Sequence, residues 1–121
     1  MVPDRLFTIG HSTRSLEDFL GLLAREGVTH LVDVRAFPAS RRYPHFNREE
    51  LEKSLPAVGV KYSHAPELGG RRRARKDSHN TEWRNEGFRG YADYMETPRF
   101  HAALDELLDA AREQPTVIMC A

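Results

Sequence analysis

The chain has a single cysteine, Cys120, so no disulfide forms within it. That excludes the disulfide-stapled scaffolds of small secreted domains and fits a reducing compartment, so the expected location is cytoplasmic. No apolar run approaches the roughly 20 residues that cross a bilayer, and Met-Val-Pro-Asp at the start lacks the apolar core of a secretion signal. A membrane partner is therefore not expected. Lysine plus arginine (18) equals aspartate plus glutamate (18), so no net field draws the chain to nucleic acid or lipid. C-x-x-C, H-E-x-x-H, the Walker loop and G-x-G-x-x-G are all missing, so no metal set or cofactor is named by motif. Internal repeats and low-complexity segments are absent too. With so few signatures, the residues leave open whether the chain is an enzyme.

What is present is an alternation of strand and helix patterns, of a length suited to one α/β domain over 1–121. Residues 5–10 read as a buried strand leaving through Gly10. Ser15 is a good helix N-cap, with Asp18 three residues on; Leu16, Phe19, Leu20 and Leu23 repeat at helical spacing, and Gly27 closes the helix. Residues 28–34 form a second strand, completing a βαβ unit. Asn47 with Glu50 opens a second helix, ended by Pro56 and Gly59, and residues 60–63 are a third short strand. A polar connection from 65 to about 87, with six arginines or lysines, is long enough to be functional or disordered. Helical patterns resume around Tyr91 and after Thr97-Pro98, and residues 116–120 are a fourth strand. The expected fold is three-layer α/β with a mainly parallel sheet. A buried strand ending at a free carboxylate suggests a truncated chain, or one without its natural C-terminal helix and strand. The exposed edge of that last strand is expected to be covered by a second copy, or the sheet to be incomplete.

Three of the strands run straight into polar, cationic clusters. They are Gly10-His11-Ser12-Thr13-Arg14, then Asp33-Val34-Arg35 with Arg41 and Arg42, then His64-Ala65-Pro66-Glu67-Leu68-Gly69-Gly70-Arg71. Ligands of open parallel sheets bind at the carboxyl ends of strands, so the clusters are expected to share one crevice that takes a small anion. Amides and hydroxyls of Gly10 to Thr13 suit phosphate or carboxylate, or only cap a turn. His11 is either an acid/base or structurally hydrogen-bonded. Asp33, inside an apolar strand, must be paired, with Arg35 or Arg14 nearest in sequence; Arg14 or the Gly10–Thr13 amides are expected to complete its shell. Arg35 is the better anion ligand, whereas Arg41 and Arg42 are equally readable as solvated loop residues. Glu67 is a general base or a neutraliser of Arg71 to Arg73, and Gly69 and Gly70 signal positive φ or close backbone approach. Cys120 is placed to meet His11 and His64, as a nucleophile, as a metal ligand or as a buried structural thiol. The run Arg71-Arg72-Arg73-Ala74-Arg75-Lys76, with Trp83 and Arg84 beyond, supports an alternative: a nucleic-acid-binding module using residues 71–89.

The ordered motifs also resemble a known family. Thr8-Ile9-Gly10-His11-Ser12-Thr13-Arg14, Val32-Asp33-Val34-Arg35, Phe37-Pro38, Ser40-Arg41-Arg42, Phe46-Asn47, His64 through Gly70, Phe88 through Met95 and Met119-Cys120-Ala121 are similar to the bacterial and archaeal domain of unknown function 488. That resemblance implies an α/β domain without an assigned activity. It marks Arg14, Asp33, Arg35, Glu67 and Cys120 as site residues without giving them roles. One departure stands out. The family's cysteine-alanine pair is usually followed by an acidic residue, a second cysteine, histidine-arginine and a further helix, none of which is present here.

Overall fold

The computed structural model describes residues 6–69, 76–80 and 86–120. Its strands are β1 (Leu6–Gly10), β2 (His30–Asp33), β3 (Lys61–His64) and β4 (Thr116–Cys120), and its helices are α1 (Leu16–Arg25), α2 (Arg48–Ala57), α3 (Glu86–Tyr94) and α4 (Pro98–Glu113). The strands form one sheet in the order β1-β4-β2-β3, and every pairing is parallel. This is the expected α/β arrangement, with strand positions shifted by a residue or two.

Side-chain alternation splits each strand between two apolar layers. Phe7, Ile9, Leu31, Tyr62, Val117 and Met119 face one layer, which Phe19 and Leu23 of α1 and Leu51 and Leu55 of α2 fill. Val32 and Ile118 face the other, filled by Tyr91 and Tyr94 of α3 and Phe100 and Leu107 of α4. The βαβ crossovers of the first half thus lie on one side of the sheet and the long return to β4 on the other. Parallel strands covered on both faces read as continuous apolar runs, and β2 is buried at all four positions.

The last strand corrects one expectation. β4 lies inside the sheet, between β1 and β2, so its edges are paired and the reason offered for a covering second copy falls away. β1 and β3 are the edge strands. A second departure concerns Asn47. It stands at the start of α2, but its side chain does not cap the helix; Asn47 Oδ1 accepts the backbone N–H of Ser40 instead. Ser15 and Thr97 do cap α1 and α4, accepting from the N–H groups of Asp18 and Phe100. α2 also runs one residue past Pro56, and Gly59, at φ +79°, makes the turn into β3.

Candidate functional site

At the carboxyl end of β2, Asp33 is fully buried. Arg35 wraps back onto it. Its Nε donates to Oδ1 at 2.9 Å, its Nη2 to Oδ2 at 2.8 Å, and its own backbone N–H to Oδ1 at 3.1 Å. The Tyr62 hydroxyl adds a fourth bond to Oδ2 at 2.7 Å, and Arg35 Nη2 also reaches the Phe46 carbonyl at 2.7 Å. Four donors on two oxygens fill the carboxylate as an acceptor, so the buried charge is matched in both sign and hydrogen bonding. The expected pairing of Asp33 with Arg35 is found. The rest of the shell is not as expected, since Tyr62 takes the place assigned to Arg14 and the Gly10–Thr13 amides. Burial, and then the hydrogen bond to Asp33, push the Tyr62 phenol well above its ordinary value. It is a fixed donor.

His64 lies beside Asp33 in the β2–β3 register. Its Nδ1 faces Arg48 Nη1 at 3.1 Å, and a guanidinium only donates, so Nδ1 accepts and Nε2–H donates to the Arg35 carbonyl at 2.6 Å. His64 therefore steadies the backbone of Arg35 rather than facing a ligand with a free nitrogen.

The first cluster closes over this pair. The His11 ring stacks on Phe46, centroids 4.5 Å apart, and Phe46 packs edge-on to Phe19. Because a carbonyl only accepts, His11 Nδ1–H donates to Ser12 O at 3.0 Å, which leaves Nε2 as an acceptor without a partner among the described residues. Burial holds the His11 pKa below the usual 6.5; the Ser12 carbonyl opposes that shift and the Arg35 guanidinium adds to it. The result is a neutral imidazole with a free lone pair. Ser12 carries the left-handed φ of 48° at the tip of the turn, and neither its N–H nor that of Thr13 is donated within the described residues. His45 Nε2 bonds the Arg14 carbonyl at 3.0 Å, tying this turn to the loop that follows β2.

Three exposed arginines rim the two loops. Arg14 Nε leans on the Gly10 carbonyl at 3.4 Å, and the Arg42 guanidinium sits 5.9 Å from the Tyr43 ring centroid. Neither they nor Arg41 has a carboxylate partner among the described residues.

The third cluster divides. Glu67 lies 4.0 Å from Arg99 of α4 and, with His30, Ser63, Leu68, Ala103 and Leu107, helps line a cavity of about 440 Å³ beside α4. That cavity is on the α3/α4 side of the sheet, away from Asp33. Gly69 has an ordinary φ, and its importance is close approach: a Cβ there would stand 2.5 Å from the Val34 carbonyl oxygen. Cys120 shares the alternation of Thr116 and Ile118, so its exposed side chain belongs to the α4 face; only its carbonyl meets His11, through that residue's N–H at 3.2 Å. Gly70 and Arg71, with most of the basic run, lie outside the described residues.

Tyr62, Phe46, His45 and Arg48 take part in this site although none was expected among its residues. Tyr62 carries a usable signal, since it precedes His64 by two on a strand and so shares its face. The other three depend on how the 36–48 loop folds back, which no local pattern announces.

Four parallel strands under two helical layers, with a buried ion pair at the strand ends and cationic loops above it, define a parallel α/β protein that concentrates charge at one edge of its sheet. The sequence profile of the family described as "Domain of unknown function DUF488" matches residues 15–121, and the chain belongs to that family. No curated protein and no solved structure matches the chain. No helix among the described residues is long and apolar enough to cross a membrane.

Proposed function

We propose that the chain binds a small anionic ligand, a nucleotide or another phosphorylated metabolite, above the carboxyl ends of β1, β2 and β4. The observation that carries this reading is the trio Arg14, Arg41 and Arg42, exposed and without acid partners among the described residues, on two loops that His45 and the His11–Phe46 stack hold together. Guanidinium forks suit phosphate, and the undonated N–H groups of Ser12 and Thr13 add neutral donors to the same rim. The Asp33–Arg35 pair acts as the foundation of this site rather than as its reagent, because its hydrogen-bonding capacity is largely spent internally. If the ligand is transformed, His11 Nε2 is the proton acceptor that this face offers. Glu67 and Cys120 lie on the opposite face and have no part in that step.

Isothermal titration with inorganic phosphate and with nucleoside monophosphates tests the reading. A hydrogen bond to a charged group contributes about 1.5–3 kcal/mol, so Arg41→Ala with Arg42→Ala should weaken binding at least about ten-fold. Unchanged affinity in Arg14→Ala, Arg41→Ala, Arg42→Ala combined would remove the site from this rim.

A further inference from the structure

We infer that the ligand is a nucleotide and that Phe37 is the residue that stacks on its base. The inference rests on the anion-site reading and narrows it from phosphorylated compounds in general to those bearing a planar aromatic ring.

Phe37 is 79% exposed, far more than Val58 at 54% or Met95 at 39%, the next large apolar side chains among the described residues. An exposed phenylalanine on a slack loop means little. This loop is not slack. Ala39 N–H donates to the Phe37 carbonyl at 2.8 Å, Arg48 N–H to the Pro38 carbonyl at 2.9 Å, and Tyr43 N–H to Ser40 Oγ at 3.0 Å. Asn47, the residue at the α2 N-cap, turns its side chain away from the helix to bind Ser40. Pro38 fixes its own φ and restricts the backbone of Phe37. The ring is thus held out in water by a loop with many internal bonds, an arrangement that apolar hydration disfavours unless something covers the ring.

Its surroundings indicate what does. The adjacent exposed residues are Ala36 and Ala39, and among the described residues the other large exposed apolar side chains belong to β1, to the turn after α2, to the end of α3 and to α4. A lone ring is a poor protein-docking surface, which would need a contiguous apolar patch. Cations follow closely in the sequence instead. Arg41 follows Phe37 by four positions, a backbone span of at most about 14 Å. One nucleoside monophosphate bridges such a distance, its base on the ring and its phosphate on the guanidinium groups. A phosphorylated sugar offers Phe37 no π-face, whereas every nucleobase has one.

The test compares inorganic phosphate, ribose 5-phosphate and the monophosphates AMP, GMP, CMP and UMP on the full chain by isothermal titration. In the wild type at least one nucleotide should bind about ten-fold tighter than ribose 5-phosphate, a gap typical of one aromatic–base stack. Phe37→Ala should bring that nucleotide down to the level of ribose 5-phosphate while leaving phosphate and the sugar phosphate unchanged, and Phe37→Trp should restore the gap. Equal affinity of nucleotides and ribose 5-phosphate in the wild type, or a gap that survives Phe37→Ala, would overturn the assignment and leave the anion site standing. Failure of every phosphate compound to bind would instead bring down the anion-site reading, and this inference with it.

Discussion

Replacing Asp33 by asparagine changes one atom and should be among the most damaging substitutions this fold can receive. The carboxylate is fully buried, and both of its oxygens face donors: Arg35 N and Nε at Oδ1, Arg35 Nη2 and Tyr62 Oη at Oδ2. An amide must turn its NH₂ toward one of these pairs. With its NH₂ toward Arg35 N and Nε, two hydrogen bonds become donor–donor contacts. With the amide turned the other way, the Tyr62 hydroxyl can rotate to accept and the contact with Arg35 Nη2 is lost. In both cases the Arg35 guanidinium, its side chain 9% exposed, loses its counter-charge. Breaking a buried ion pair from one side costs about 3–5 kcal/mol, against a total stability of about 5–15 kcal/mol for an ordinary domain. With a urea slope of about 2 kcal/mol per molar, the unfolding midpoint should drop by about 2 M. Tyr62→Phe is the graded comparison. It removes one donor and leaves the pair intact, so the loss should be nearer about 1.5 kcal/mol. Both are read from urea denaturation followed by circular dichroism. An Asp33→Asn midpoint within about 0.3 M of wild type, equivalent to about 0.6 kcal/mol at that slope, would refute the view that the pair holds up the strand ends.

Two glycines should respond to alanine with opposite signs in thermal unfolding. Gly69→Ala drives a Cβ against the Val34 carbonyl and should lose about 1–3 kcal/mol, whereas Gly21→Ala, on the exposed side of α1 with nothing within 4 Å, should gain up to about 1 kcal/mol. Acid should destabilise the protein through His11 and His30, both held below 6.5, His11 by burial first and His30 by burial and then Lys61. Their neutral forms favour the fold fully above 6.5, and that stability is lost as pH falls below it because the unfolded chain takes up protons first; urea midpoints measured at about pH 7.5 and about pH 5.5 check the sign. Cys120→Ser should leave phosphate affinity within about two-fold, since the thiol points to the α4 face while the arginine rim lies on the other; a ten-fold loss, roughly 1.4 kcal/mol, would place sulfur in the site.

The strands and the Asp33–Arg35 pair were legible in the sequence because both follow from local rules. A carboxylate in an apolar run needs a cation, and the nearest arginine that backbone geometry allows to return is two residues away. The division of the third cluster was not legible, and the reason is the pleat. Each strand end delivers its residues to a sheet edge, but alternation decides the face, and the strand order decides which neighbours share it. Reading β4 as an edge strand obscured that it lies between β1 and β2, where Met119 takes the face of Asp33 and Cys120 takes the other. Glu67 follows the same logic. It comes after β3 at the sheet's edge and falls to the α4 side, where Arg99, thirty-two residues later, is its cation partner among the described residues. What unites the remaining residues is a long-range fold-back: the loop after β2 returns so that Phe46 lies under His11 and offers its carbonyl to Arg35. That one aromatic residue joins the first cluster to the second. A substitution that empties its position should therefore loosen both loops at once, while the separate cavity beside α4 keeps its shape.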